Sequence, residues 1–188
     1  MLTASKNKKA APSIDEGLIA RIAANDKSAL ESLYLATSSA VYGFALSIVC
    51  NTHTAEDVMQ EVYLKIYSSA ASYLPQGKPL AWIFTITRSL SLMKLREKSF
   101  GEAVLIPELM TPDSGDSIDR ILDRLVLRTA LNTLGEEERQ IVILHAGAAW
   151  KHREIAALLD LPLSTVLSKY RRALSKLKMQ IKEETGDE

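Results

Sequence analysis

The stretch HREIAALLDLPLSTVLSKYRRALSKLKM, residues 152–179, decides the fold. Residues 152–159 read as a short helix carrying a small side chain, Ala156, where a second helix must approach closely. Asp160, Leu161 and Pro162 then make a tight turn. Asp160 takes the left-handed corner that usually favours glycine, and Asp is among the few side chains tolerated there. Pro162 opens the next helix, where its missing N–H costs nothing. At 100° per residue, Val166, Tyr170, Ala173, Leu174, Leu177 and Ile181 fall on one face of that helix. Ser164, Thr165, Ser168, Arg171 and Arg172 face away from it, with Lys169 on the flank. A core face backed by hydroxyls and guanidiniums suits a helix placed in the major groove of DNA. An ordinary helical hairpin with a charged outer face shares this periodicity; the turn chemistry and the local basic excess count against it.

That excess is concealed in the whole. The chain has 188 residues, 47% of them hydrophobic, with 23 basic and 23 acidic side chains and a formal net charge of zero. A chain this apolar can bury a core, which excludes wholesale disorder. Evenly spread, the neutral balance would speak against a nucleic-acid partner. It is not evenly spread. Residues 1–98 hold 11 basic and 8 acidic groups, and residues 120–139 balance at four each. Residues 99–119 hold five acids (Glu102, Glu108, Asp113, Asp116, Asp119) and no base. Residues 140–182 hold eight bases against Glu154 and Asp160, and the tail 183–188 holds four acids. Single charge runs are often just solvated faces. Two basic blocks around an acidic link fit two nucleic-acid-facing modules and a connector.

Scarce, grouped Gly and Pro and few β-branched alternations predict an all-α protein of two small helical domains joined by a flexible acidic linker. A first short helix carries Ile14, Leu18, Ile19 and Ile22. A second starts at Asn25-Asp26, runs to about Cys50 and turns Leu30, Leu33, Tyr34, Val41, Phe44, Ala45 and Ile48 inward. Residues 54–57 resemble a capping box that opens a third, with Val58, Met59, Val62 and Ile66 in one stripe. A fourth runs from about Leu80 to Lys98, apolar nearly all round in its first half, as befits a central helix. Residues 99–117, with Gly101, Pro107, Pro112 and Gly115, read as the linker. Helices resume from Ile118 to Leu134 and again after Gly135. The domains are therefore residues 1–98, a linker 99–119, residues 120–182 and an acidic tail 183–188.

The fourth helix interleaves aromatic and basic side chains: Trp82, Phe84, Arg88, Lys94, Arg96 and Lys98. Such a mixture can hold unstacked bases along a charged groove. Trp82 and Phe84 fit a core role better, which leaves Arg88, Lys94, Arg96 and Lys98 as the nucleic-acid candidates. Nothing suggests an enzyme. His53, His145 and His152 lack metal-ligand or triad spacing, and no glycine-rich phosphate loop occurs. Cys50, the only cysteine, reads as a small buried hydrophobe. Neither a cofactor, a metal nor a small-molecule substrate is expected. The N-terminal lysines lead into no apolar stretch, and the most apolar window, residues 41–50, is half a membrane span. A soluble, cytoplasmic protein is expected.

Three segments resemble bacterial extracytoplasmic-function (ECF) sigma factors of the sigma-70 family. Residues 55–67 (Ala55-Glu56-Asp57-Val58-Met59-Gln60-Glu61-Val62-Tyr63-Leu64-Lys65-Ile66-Tyr67) are similar to the polymerase-binding helix of region two. Residues 79–88 are similar to the following −10 recognition helix. Residues 131–177, through Glu137-Glu138-Arg139, Glu154-Ile155-Ala156 and Ser164-Thr165-Val166, are similar to region four with its −35-reading motif. The resemblance implies a transcription initiation subunit. Asp57, Gln60, Glu61 and Lys65 would bind the clamp helices of the largest subunit of core RNA polymerase. Arg88, Ser89, Lys94, Arg96 and Lys98 would meet the −10 element of promoter DNA. Ser164, Thr165, Ser168, Lys169, Arg171 and Arg172 would meet the −35 element. It also implies an anti-sigma partner, of a kind often membrane-bound, which would hold the chain at the inner membrane face. Several positions depart from the family pattern: Ser89 stands for a usual Asn, Met93 for Asp, Leu167 for Lys, Gly135 for Pro and Ser164 for Gly. These departures keep two other readings in view, a stand-alone helix-turn-helix regulator and a sigma mimic that titrates an anti-sigma factor.

Overall fold

A computed structural model describes residues 14–98 and 131–185 of the chain, and every regular element among them is helical. Helix α1 (Gly17–Ala23) is short, and Asn25 turns the chain through a positive φ of 63°. Asp26 then caps α2 (Lys27–Val49): its Oδ1 accepts the N–H groups of Ser28 at 2.9 Å and Ala29 at 3.3 Å. Its second oxygen accepts from Arg21 Nε at 2.8 Å. The Ser28 hydroxyl and the Arg21 guanidinium together hold this carboxyl down to about 2. The cap follows from sequence, because Asp accepts two of the N–H groups that a helix start leaves orphaned.

Cys50 ends α2 in the left-handed region, with φ 51°, and puts Asn51 at once in extended backbone. Asn51 Oδ1 accepts the Thr54 N–H at 2.9 Å and caps α3 (Thr52–Ser69), three residues upstream of the capping box expected at residues 54–57. The abrupt left-handed exit from α2 leaves no room for a longer link. After a 3₁₀ turn (Ala70–Ser72) the chain reaches α4 (Pro79–Lys98) through a loop held from α1. Glu16 Oε1 accepts from Tyr73 Oη at 2.5 Å and from the Gln76 and Gly77 N–H groups at 2.9 and 3.0 Å. Gly77, at φ +68°, gives this loop the left-handed corner it needs. The Tyr73 bond lowers the Glu16 carboxyl, and burial with that same contact pushes the Tyr73 phenol up to about 12.

The first four helices share one core of Ile19, Ile22, Leu33, Val41, Val58, Val62, Ile66 and Ile83. By length and apolarity alone α2 resembles a membrane span, a broader apolar run than the ten-residue window suggested. Here that surface is used up inside the protein: Leu33, Val41 and Ala45 line the first core, while Phe44 and Ile48 line a second. Tyr34, expected inward, is 41% exposed and lies against Tyr63 with ring centroids 4.8 Å apart. Tyr63 claims the buried position because its hydroxyl meets Thr37 Oγ1 at 2.7 Å.

The second helical unit comprises α5 (Glu136–Val142), which runs into a π turn (Ile143–Gly147), then α6 (His152–Leu159) and α7 (Leu163–Thr185). Asp160 has φ 55° and ψ 47°, the left-handed corner expected of it, and the Leu161 N–H returns to Ala156 O at 3.0 Å. Ile155, Leu159 and Val166 are buried where α6 meets α7. Leu134, Val142, Ala173 and Leu177 form a narrow seam between α5 and α7. Leu174, read as a core residue, is 45% exposed because short α5 covers only the Ala173–Leu177 edge of α7. The expected linker and the start of the second domain lie outside the described residues, as does the Lys98 side chain.

The two units share a core. Phe44, Ile48 and Phe84 of the first pack with Ile141, Leu144, Trp150 and Ile155 of the second. Phe84 stands edge-on to Phe44 at 5.3 Å and to Trp150 at 5.0 Å, geometry that aromatic quadrupoles favour.

Candidate functional site

The outer face of α7 carries the strongest concentration of candidate residues. Ser164, Ser168 and Arg171 are exposed and Thr165 is half-buried, in register along one side of the helix. Ser168 donates to Thr165 O at 2.9 Å, which leaves its own lone pairs outward. The three cations differ in their engagements. Lys169 Nζ lies 2.9 Å from Glu137, and Arg172 Nε lies 3.7 Å from Glu138. Glu138, buried, also takes Lys176 Nζ at 2.7 Å. Burial alone would raise the Glu138 carboxyl, but the hydrogen bonds from Lys176 and the Gly135 N–H hold it below its ordinary value. Arg171 makes no ion pair with any described residue.

Glu137 and Glu138 pair with α7, a role that sequence reading does not assign them. The signal is spacing in three dimensions: Lys169, Arg172 and Lys176 fall on one i, i+3, i+7 stripe that faces α5. Behind α7, Tyr170 stands edge-on to His145 and His152, each with a centroid distance of 4.8 Å, and the two imidazoles stack at 4.0 Å. The pair unseen in sequence is thus a packed aromatic cluster. Burial and the neighbouring His145 lower the His152 imidazole, which favours its neutral form.

On α4, Ile83, Phe84, Thr87 and Ser91 are buried; Ser89 and Arg96 lie on the opposite, exposed side, while Arg88 and Lys94 lie beside the buried stripe. Phe84 is core. Trp82 is half-buried against Tyr73, centroids 4.8 Å apart, so it also serves packing. Ser89 and Arg96 are exposed. Arg88 is half-buried, and its Nε is buried without a hydrogen-bond partner. Lys94 Nζ lies 2.8 Å from Glu61 of α3, and that hydrogen bond raises its ammonium. Two candidates assigned to different interfaces are thereby joined: Glu61 faces α4 as well as solvent.

On α3, Asp57, Gln60 and Lys65 are exposed in register. Leu64 lies among them, 69% exposed. Sequence reading passed over it because leucine in a helix reads as core.

Comparisons with known proteins identify the family. The family model described as Sigma-70 region 2 matches residues 33–100, and the one described as Sigma-70, region 4 matches residues 124–177. The chain belongs to the sigma-70 family, in its ECF branch. It is a sigma factor, which binds core RNA polymerase and directs transcription initiation at promoter DNA. Among curated relatives, "ECF RNA polymerase sigma factor SigK" of Mycobacterium sp. (strain KMS) is 26% identical over 170 residues, covering 86% of this chain and 87% of the relative. "ECF RNA polymerase sigma factor SigL" of Mycobacterium tuberculosis (strain ATCC 25618 / H37Rv) is 27% identical over 168 residues, covering 86% of this chain and 93% of the relative. The fold is shared with CnrH, solved in complex with the cytosolic domain of CnrY (TM-score 0.66, 20% identity, 93% of this chain and 99% of that one). It is shared too with RpoE of Bartonella quintana, solved with the anti-sigma factor NepR (TM-score 0.68, 23% identity, 81% and 96% covered). Neither the stand-alone regulator nor the titrating mimic gains support from these likenesses.

Proposed function

We propose that α7 reads the −35 element, with Arg171 as the base-reading side chain and Ser164, Thr165 and Ser168 beside it. Lys169 and Arg172, held by Glu137 and Glu138, supply phosphate contacts that set register. The observation that carries this reading is the division of labour on α7. Arg171 is exposed with no ion pair among the described residues, and its two neighbouring cations are tied to α5. A bidentate guanidinium suits the O6/N7 edge of guanine.

In the same proposal, Arg88, Ser89, Lys94, Arg96 and Lys98 face the −10 element, and Asp57, Gln60, Glu61 and Lys65 face the polymerase clamp helices, with Leu64 at the centre of that contact. Residues 1–98 and 120–182 act as the two promoter-facing modules, 99–119 as their acidic connector and 183–188 as an acidic tail. The chain works as a binding subunit without catalytic chemistry of its own. An anti-sigma partner fits the company its fold relatives keep, and one anchored in a membrane would hold this cytoplasmic chain at the inner face. The test is footprinting of the holoenzyme on promoters selected from random DNA. Protection at both elements, with the −35 preference relaxed at one base pair by Arg171→Ala, is expected. Unchanged preference in Arg171→Ala removes that residue from base reading.

A further inference from the structure

α3 and α4 are tied by an ion pair that joins residues assigned to two different partners. Lys94 Nζ lies 2.8 Å from Glu61 Oε1, with the side chains 25% and 36% exposed. The first core fixes this meeting: Val58 and Val62 of α3 are buried in it, and Leu90 and Leu95 of α4 pack against it. Lys94 continues the stripe of Ile83 and Thr87, both buried, at i, i+4 and i+11. Arg96, two residues on, is turned about 200° away and is exposed. Lys94 therefore reaches α3 from the inner side of α4, away from the side that offers Ser89 and Arg96. Glu61 also has a choice on its own helix. Lys65 follows it by four residues, the favoured order for a Glu–Lys pair, yet Lys65 makes no ion pair among the described residues. The carboxylate is turned to α4 instead.

The charge around Lys94 has the wrong sign for a phosphate. Glu97, one turn along α4, lies 3.9 Å from the same ammonium, and Asp57 of α3 adds its charge. The hydrogen bond donated to Glu61 raises the ammonium above its ordinary value, so it stays charged. Three carboxylates around one cation leave the locality net negative, and a DNA backbone meets repulsion there. An ammonium that left Glu61 for a phosphate would also leave that carboxylate facing the strand. For polymerase binding the same pair is favourable. A glutamate free to rotate loses rotamer freedom when a partner docks, and one already held does not. Lys94 takes Oε1, while Oε2 has no hydrogen bond or ion pair among the described residues and stays available to a partner's donor.

We infer that Lys94 is a positioning residue for polymerase binding: it fixes Glu61 in the orientation that core enzyme meets, and couples α4 to that face without touching DNA. The inference rests on the assignment of Glu61 to the polymerase face and narrows the −10 set at Lys94. A double-mutant cycle tests it, read as the affinity of labelled full-length protein for core polymerase. Glu61→Gln should weaken binding about tenfold and Lys94→Met about threefold, with Glu61→Gln/Lys94→Met no weaker than Glu61→Gln alone. Losses that multiply would overturn the inference, because Lys94 would then act apart from Glu61. Lys94→Arg keeps the charge and should bind core within about twofold of wild type. Equal losses in Lys94→Arg and Lys94→Met would place the effect in the packing of the stem and overturn it too.

Promoter binding by preassembled holoenzyme supplies a readout that separates positioning from DNA contact. With core saturating, Lys94→Met should leave the salt dependence of promoter affinity unchanged. A phosphate contact at Lys94 would instead lower the salt slope by about 1 in that variant, and this result would overturn the inference. Failure of the underlying assignment looks different. Glu61→Gln that binds core like wild type removes Glu61 from the polymerase face, and the inference falls with it. Weakened binding in Glu61→Gln beside wild-type binding in Lys94→Met leaves that face in place and overturns the inference alone.

Discussion

α4 and α7 are both long, both basic on one side, and both assigned to DNA, yet they are built differently. α7 separates its faces: Val166, Ala173 and Leu177 are buried while Ser164, Ser168 and Arg171 are exposed. α4 serves two cores at once, with Ile83 in the first and Phe84 in the second, and so exposes only part of its surface. A helix with one buried face can offer a regular polar row to a groove. A helix buried on several sides offers a few side chains at chosen points, of which Arg88 is the one with an unsatisfied buried donor.

The comparison is broken most forcefully at Phe84. Truncating a buried Phe costs about 3–5 kcal/mol, and because this ring touches both Phe44 and Trp150 the loss should appear as lowered denaturant midpoints in both units. Leu177→Ala, in the narrow seam, should cost about 2 kcal/mol and leave the first unit's transition where it was. Equal effects from the two, followed by site-specific fluorescence, would erase the distinction drawn between the helices.

Next in size is the split among α7 cations. Arg171→Ala should weaken holoenzyme affinity for the −35 site by about 1–3 kcal/mol and relax preference at one base pair. Arg172→Ala should weaken binding uniformly across sequences and lower the salt slope by about 1. Titrations at several salt concentrations separate these outcomes, and a sequence-dependent loss in Arg172→Ala would reverse the roles.

A smaller effect sharpens the account of α3. Leu64→Ser should reduce affinity for core polymerase several-fold without changing the melting curve, since the side chain is mostly exposed. Fluorescence anisotropy of labelled protein against core enzyme measures it; unaltered affinity would take Leu64 out of the interface.

Much of this architecture was readable from sequence because local chemistry agreed with the fold. Asp160 and Pro162 specify their turn whatever surrounds them, and Asp26 caps α2 with its own oxygens. What escaped depends on contacts distant in the chain. Arg139 and Cys50 lie 89 positions apart, and Glu138 and Lys176 lie 38 apart. No periodicity announces that Trp150 will enter a core made by α2 and α4. The start of α3 was misplaced because the left-handed Cys50, not the Thr-Glu pattern downstream, sets where it begins.

The smallest expected effect concerns acid. The Asp26 and Glu16 carboxyls both have folded values below their ordinary ones, Asp26 at about 2. Their contributions are therefore complete above the unfolded range near pH 4 and fade as pH falls through the folded values. Thermal melts between pH 5 and pH 2 should show the first unit losing stability, less steeply in Asp26→Asn/Glu16→Gln protein. A parallel decline in both proteins would remove these two carboxyls from the cause.

Run-off transcription with purified core polymerase is the most direct measure of the central claim, that the two helical faces act together as a promoter-reading subunit. The account predicts a discrete transcript from a selected promoter only when core and this chain are both present, with a strong loss when Arg171 is replaced by alanine. A chain that binds the same DNA tightly alone and yields no transcript with core would contradict it.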